Sequence, residues 1–311
     1  MLTWHVHGTY LRSLSHLPHE IVLPVRDDGE PGYGGRAGEF DWPDNVVEVP
    51  AEDVPSTEVD VVLHQTHRNW EVDRLDLLSD RQRRLPQVVV EHDPPRQSPV
   101  DQRHPVDDPG ARIVHVTRFN QLMWDCGDVP TTVVEHGLPL PRGVVATGEL
   151  PRALVIVNDM PTRGRRVGRD LYERLAARLP VDLIGMDSER IGGLGEVPPL
   201  EVAAFAARYR VLLSTIRWTS LNMSICEAMM VGVPVVGFAT TELPSVVENG
   251  VSGYLSNDPC QVERALRRVL DDAELGRRWG DGARRAARPR FDIERFVRDW
   301  DRVLQDAVAG M

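Results

Sequence analysis

Residues Thr219 to Tyr254, TSLNMSICEAMMVGVPVVGFATTELPSVVENGVSGY, admit few local structures. A turn of small residues leads into a short apolar helix that carries one acid, Glu227, and then into a buried strand. A Thr-Thr loop, another short helix and an Asn-Gly turn follow. β-branched runs alternating with short helices belong to a parallel α/β sheet. Glu227 lies among Ile225, Cys226, Ala228, Met229 and Met230, where an unpaired carboxylate would be costly to bury. Ser220, Asn222 and Ser224 leave room for backbone N–H groups at a helix start, a natural seat for an anion. An acid beside such a seat suits a ligand with both hydroxyls and phosphates, as in a sugar nucleotide.

At 311 residues the chain is long enough for two domains, each with its own core. Its hydrophobic share of 41% and charged share of 27% are those of an ordinary globular chain. A net charge of −11 argues against a protein that tracks nucleic-acid phosphates. All 36 basic residues are Arg, which excludes Schiff-base chemistry, a Walker-type loop and a Lys base. Any cationic clamp on a diphosphate is therefore an arginine, and the lysine-free composition points to a GC-rich bacterial genome. Cys126, Cys226 and Cys260 are too few and too scattered for a disulfide framework or a zinc ribbon, so reduced, cytoplasmic thiols are expected. The opening MLTWHVHG has no basic region followed by an apolar run, so no signal peptide is expected. The longest apolar run, Met223 to Phe238, is interrupted by Glu227 and too short to span a bilayer. At most a peripheral membrane contact is expected.

Strands are expected in the first half at Leu2–Val6, Ile21–Val25, Val46–Val49, Val59–His64, Gln87–Glu91, Ile113–Val116 and Thr132–Glu135. Helices are expected there at Thr9–Leu17, Asn69–Arg84 and Arg118–Cys126. The Gly-rich loop Arg26–Asp44 and the Pro-rich loop His92–Pro109 are long enough to be functional or mobile. A composition break with Pro139, Pro141, Gly143, Gly148 and Pro151 reads as an interdomain linker. The second half restarts with strands at Ala153–Val157, Val181–Ile184 and Val211–Ile216. Its helices are expected at Val167–Leu179, Leu200–Tyr209, Gln261–Asp271, Ala273–Ala287 and Ile293–Val308. The expected division is a first domain over 1–140, a linker over 141–152, a second domain over 153–290 and a C-terminal helix over 291–311.

The run Glu227-Ala228-Met229-Met230-Val231-Gly232-Val233-Pro234-Val235-Val236, followed by Asn249-Gly250-Val251-Ser252-Gly253, resembles the second domain of a known group in order and spacing. That group is the retaining nucleotide-sugar glycosyltransferases of the GT-B fold, family 4. The resemblance implies an α/β, GT-B-like architecture. Two Rossmann-type parallel-sheet domains face a cleft, and the C-terminal helix returns to the first domain. It further implies transfer of a sugar from a nucleoside diphosphate donor to a hydroxyl acceptor with retention of configuration, with no cofactor and no metal.

Residue by residue, the resemblance gives Glu227 the ribose hydroxyls and Arg163-Gly164 the diphosphate, in place of a family Lys-Gly. An Arg fork can hold phosphate oxygens bidentately. Asn158 stands where the family has Arg. Thr219, eight residues before Glu227, stands where it has a Glu, and Thr241-Glu242 stands where it has Gly-Gly. With Ser220, Leu221, Asn222 and Gly185 these complete the expected donor side, and Arg165 and Arg166 are spare cations. His92, after Val88-Val89-Val90-Glu91, resembles the first-domain histidine that faces the donor sugar and is the catalytic candidate. His7 and Gly8 belong to the expected acceptor side.

All ten histidines lie at or before His136. His5 and His7 flank Val6 at an expected strand end and so share a face. His-x-His at a strand end is also a metal-ligand pattern of amidohydrolase-like (β/α)₈ barrels, but those draw further ligands from later strands. No histidine follows 136, so a metal site confined to the first domain is the form such a reading would take. His64 and His136 read as structural. The arginines at 264, 267, 268, 277, 278, 284, 285, 288 and 290 are interleaved with acids and read as a mixed solvated face. Because Thr219, Asn158 and Thr241-Glu242 depart from the family, a non-catalytic sugar-nucleotide binder or partner subunit is the alternative, with a sugar-nucleotide epimerase behind it.

Overall fold

The computed structural model of the protein describes residues 1–38, 40–140 and 143–310. Pro141 and Arg142 of the expected linker lie outside the described residues, as do Glu39 in the loop Arg26–Asp44 and the final Met311. The chain divides into two compact units, Met1–Gly137 with Ile293–Met311, and Leu138–Asp292.

In the first unit the strands are β1 (Leu2–Thr3), β2 (Ile21–Val25), β3 (Val46–Pro50), β4 (Val62–His64), β5 (Gln87–Glu91), β6 (Ala111–His115) and β7 (Thr131–Val133). They form one parallel sheet in the order β3-β2-β1-β4-β5-β6-β7. β2 and β5 have the bounds expected from sequence, and β5 is buried along its whole length. β1 is shorter than expected. After Thr3 the chain turns, with the Val6 N–H donating to the Trp4 carbonyl and His5 bridging antiparallel to Gly32. The strand alternation that would put His5 and His7 on one face therefore does not apply.

The expected helix Asn69–Arg84 is three pieces, Asn69–Asp73, Arg74–Leu77 and Asp80–Arg83. Leu78 is extended, and Ser79 opens the last piece with a reciprocal capping box to Gln82. The C-terminal helix Ile293–Ala309 buries Phe296, Trp300, Val303 and Leu304, one stripe at helical spacing, within the first unit. Its Trp300 indole donates to the Tyr10 hydroxyl at 3.1 Å. Gly137 permits the close approach, since a Cβ there would stand 2.0 Å from Phe296 Cβ.

The second unit is a parallel sheet of β8 (Leu150–Ile156), β9 (Val181–Ile184), β10 (Tyr209–Ser214), β11 (Val235–Gly237) and β12 (Gly253–Leu255), in the order β12-β11-β10-β8-β9. β8 begins at Leu150, within the stretch expected as linker, and the three-residue β12 is too short to leave a pattern in sequence. Successive residues feed opposite cores. Ala153, Val155, Val211, Leu213 and Val236 pack with the helices Arg169–Ala176 and Pro259–Asp271. Leu154, Leu212 and Val235 pack with the helix Met223–Val231. Both faces are covered, which is why the strands read as continuous apolar runs. Each fully buried Leu or Val contributes roughly 1.5–3 kcal/mol. Among the described residues no helix is long and apolar enough to cross a membrane.

Candidate functional site

In the second unit, Asn158, Arg163, Gly164, Gly185, Thr219–Asn222, Thr241 and Glu242 all follow the carboxyl ends of parallel strands, so they share one edge of the sheet. The chain goes from β8 to β9 on one side and then to β10 on the other. The edge between β8 and β10 is therefore the switch point at which such sheets bind ligands. The loops there are stitched together. The Arg166 carbonyl accepts from the Arg217 and Trp218 N–H groups, and the Thr215 hydroxyl donates to the Val167 carbonyl at 2.8 Å. Gly168, at φ +80°, lies so close to Thr215 that a Cβ would stand 1.9 Å from its carbonyl oxygen.

Asn158 accepts from the Met186 N–H at 3.0 Å and so joins the loop after β8 to the Gly185 turn after β9. Gly185 is itself forced to be small, since a Cβ would stand 2.4 Å from the Val157 carbonyl. Arg163 ends the short helix Met160–Arg163 and donates to the Asn158 carbonyl at 3.3 Å. Gly164, at φ +54°, has open space beside it. Arg165 is not a spare cation. It pairs with Asp170 at 2.6 Å, and Arg217 grips the same carboxylate with two nitrogens. That arrangement holds Asp170 below the usual carboxylate range, chiefly through its hydrogen bond from Arg217.

Thr219 and Ser220 are buried, and the Thr219 hydroxyl donates to the Ser220 carbonyl at 2.9 Å. Leu221 turns its side chain into the core, so only its backbone is offered to a ligand. Asn222 precedes the helix Met223–Val231, in which Glu227 is half-buried between the fully buried Cys226 and Ala228. Thr241 holds φ +48°, the left-handed backbone that the expected Gly-Gly would adopt without strain. The Glu242 carboxylate is directed inward. It accepts from the Arg290 guanidinium at 3.3 Å and from the Ser245 hydroxyl. Arg290 also donates to the Ser245 carbonyl at 2.6 Å. Sequence reading placed Arg288 and Arg290 on a solvated face. Arg288 is indeed exposed, though it also donates to the Met230 carbonyl at 3.3 Å, whereas Arg290 is drawn in and anchors the loop after β11.

His92, His7 and Gly8 lie in the first unit. The His92 ring meets His7 edge-on at 4.4 Å and Tyr10 at 4.6 Å, and its Nε2 is buried without a hydrogen-bond partner. Burial pushes both imidazoles toward the neutral form, and for His92 the neighbouring His7 adds to the effect. Gly8 opens the helix Gly8–Leu14, where a Cβ would stand 2.9 Å from the Phe40 ring. His64 is fully buried and donates to Gln87, in keeping with its structural reading.

Sequence reading missed a second cluster. Glu91, at the end of β5, accepts from His67 Nε2 at 2.6 Å, from His104 Nε2 at 3.1 Å and from the Asp93 N–H at 2.9 Å. Burial alone would raise its pKa, but the bonds from His104 and His67 outweigh burial and keep it ionised. The same bond and charge raise His67 against its own desolvation. The His67, Glu91 and His104 atoms lie within 4.8 Å of one another, close enough to hold a metal ion. The proton pattern opposes that use. The Val106 N–H donates to His104 Nδ1, which leaves the ring proton on Nε2, directed at Glu91 rather than free to be replaced by a metal. No fixed spacing announces this cluster, because His67, Glu91 and His104 come from three separate segments.

Residues 153–272 match the family described as Glycosyl transferases group 1. The chain is 30% identical over 233 residues to the D-inositol 3-phosphate glycosyltransferase of Salinispora tropica, an alignment covering 60% of this chain and 48% of that one. The chain spans less than half the length of the curated relatives it matches. Among solved structures, sucrose-phosphate synthase of Thermosynechococcus elongatus superposes with a TM-score of 0.70 at 14% identity, over 98% of this chain and 92% of that one. HepE of Anabaena in complex with UDP and glucose gives 0.60 at 16% identity, over 79% and 78%. The fold is thus that of the GT-B glycosyltransferases. More particularly, it is within the second unit that the chain resembles the glycosyl transferases group 1 family.

Proposed function

We propose that the protein is a glycosyltransferase that moves a sugar from a nucleoside diphosphate donor to a hydroxyl acceptor with retention of configuration. The observation that carries this reading is the convergence of Asn158, Arg163, Gly164, Thr219–Asn222 and Thr241 on one sheet edge, inside the segment that matches the family. Half-buried Glu227 takes the ribose hydroxyls, since a carboxylate accepts from a diol with both oxygens. Arg163 and the backbone N–H groups beginning the helix Met223–Val231 take the diphosphate and stabilise the charge it gains on leaving. That HepE of Anabaena is seen with UDP and glucose is consistent with such a donor.

The departing phosphate receives the acceptor proton on the front face, so the scheme needs neither a carboxylate nucleophile nor a metal. The family resemblance assigns His92 a hydrogen bond to the transferred sugar. One observation favours a second reading, a binder without catalysis. Thr219 replaces the expected acid, and its hydroxyl is bonded to Ser220. Release of nucleoside diphosphate from UDP-, GDP-, ADP- and TDP-sugars, with the anomer of the freed sugar followed by proton NMR, separates these readings. The donor's own anomer should appear first. The opposite anomer would refute retention, and binding without release from any donor would establish the binder.

A further inference from the structure

At the amino ends of β10 and β11 the second unit holds a cavity of about 250 Å³. Arg210, Arg277, Arg278 and Arg284 line it, with Glu274 and Asp281 as its acids. The local excess of positive charge runs against a chain whose net charge is −11. The two acids do not offset it evenly. Glu274 pairs with Arg277 and with Arg278, and all three are exposed. Asp281 is exposed, and among the described residues Asp281, Arg210 and Arg284 take part in no ion pair.

Arg210 and Arg284 are half-buried, and a guanidinium drawn out of water without a counter-charge is costly. The fold holds them there all the same. Arg210 lies at the start of β10, where its Nε donates to the Gly148 carbonyl at 3.4 Å and its Nη1 to the Leu270 carbonyl at 2.6 Å. These carbonyls orient the fork but bring no charge. Gly276, inside the helix Ala273–Arg290, makes room for the Arg210 stem, since a Cβ there would stand 3.1 Å from its Cγ. Glycine inside a helix is destabilising, so that room is kept at a cost. The remaining Arg210 nitrogen, Nη2, and the Arg284 guanidinium have no protein acceptor among the described residues, yet none of these atoms is sealed from solvent. They are open to a ligand.

A tetrahedral dianion answers this arrangement. Arginine forks hold phosphate oxygens through paired N–H bonds, and one phosphate carries the charge that two uncompensated guanidiniums lack. Val231 and Pro234 in the wall leave apolar surface for a small body attached to the phosphate. We propose that this cavity is an anion site that binds phosphate, free or as a small phosphate ester, between Arg210 and Arg284. The donor-side residues follow the carboxyl ends of the strands, whereas this cavity lies at the amino ends. The six residues of β10 separate the two edges by roughly 20 Å. The site is therefore distinct from the donor site proposed above and does not rest on it.

The test is isothermal titration calorimetry on the full chain at pH 8 and low chloride, with inorganic phosphate and glucose 6-phosphate as probes. At least one of them should bind saturably, and the tighter of the two identifies the source of the phosphate. Arg284→Gln should weaken that binding at least tenfold. Arg284→Lys, which keeps a stem and a charge and so guards against loss through misfolding, should weaken it less. Arg285→Gln removes the same charge from an exposed position on the same helix and should leave the affinity unchanged. No saturable binding of either probe, or an equal loss in Arg284→Gln and Arg285→Gln, would overturn the proposal. So would binding lost in Arg163→Gln and kept in Arg284→Gln, which would place the phosphate at the donor edge. UDP binding, measured in parallel by thermal shift, keeps the two readings apart. A UDP response without Arg284-dependent phosphate binding refutes this cavity alone. Arg284-dependent phosphate binding without any nucleotide response leaves the cavity standing and removes the glycosyltransferase reading.

Discussion

The first unit should lose stability in mild acid, and His64 accounts for a defined share of that loss. His64 ends β4 fully buried, stacked on Trp4 at 5.4 Å and edge-on to Trp70 at 5.4 Å. The Gln87 amide nitrogen donates to the Gln82 and Leu85 carbonyls, so its Oε1 must accept from His64 Nε2. His64 Nδ1 is left buried and unpaired, and a proton added there would be an uncompensated charge. Burial accordingly lowers the His64 pKa from 6.5 to about 4. A folded value below the unfolded one means that the contribution is fully present above pH 6.5 and is lost as pH falls toward 4. At roughly 1.36 kcal/mol per pKa unit the ceiling is about 3 kcal/mol, of which about 2 kcal/mol is lost between pH 7 and pH 5. Gln places an amide nitrogen near the Nε2 position, so His64→Gln keeps the bond to Gln87 and removes the titration. Urea unfolding followed by tryptophan fluorescence at pH 7 and pH 5 reads the difference. The variant should lose about 2 kcal/mol less than wild type over that interval. An equal loss in both proteins would show that His64 is not buried in the neutral form and would refute the reasoning.

Three further outcomes are expected. Gly168→Ala meets the Thr215 carbonyl at 1.9 Å from a left-handed backbone, so it should lower stability by about 3 kcal/mol or more in urea unfolding, or abolish expression of folded protein. Arg290→Met strips the guanidinium from buried Glu242 and should cost about 2 kcal/mol, discounted because Arg290 is a quarter exposed. The double variant with Glu242→Gln should recover most of that loss, and no recovery would show that the charge is not the cause. Thr241→Gly removes a β-branched residue from φ +48° and should raise stability in urea unfolding by about 1 kcal/mol after the entropy cost of glycine.

The parts of the fold that could be read from sequence are those in which one physical demand dominates. Ile21–Val25 and Gln87–Glu91 are β-branched or apolar runs in a covered parallel sheet, and their bounds in sequence and structure coincide. The C-terminal helix announced itself through Phe296, Trp300, Val303 and Leu304 at helical spacing. The break at Leu78–Ser79 was legible in principle, since Ser79-Asp80-Arg81-Gln82 is a capping box, but the longer helical periodicity around it masked the signal. β12 was not legible, because three residues carry no period and Gly253 is there for close backbone approach, a Cβ standing 1.9 Å from the Val235 carbonyl. Likewise the donor-side residues were visible as an ordered motif, while their partners were not. The hold of Arg290 on Glu242 and the grip of Arg217 on Asp170 cross 48 and 47 residues of sequence. The grouping of His67 with Glu91 depends on how the ends of β4 and β5 lie beside one another, which no local pattern encodes.

The central claim, a sugar-nucleotide donor site built around Glu227 in the second unit, is tested most directly by nucleotide binding. UDP, GDP, ADP and TDP should be compared by thermal shift on wild type and Glu227→Ala. A ligand that binds only the folded state at ~100 times its dissociation constant adds about 2.7 kcal/mol. One nucleotide should raise the melting temperature of wild type above its own ligand-free value and leave that of Glu227→Ala largely unmoved from its own. An equal shift in the two proteins, or no shift with any of the four, would contradict the account.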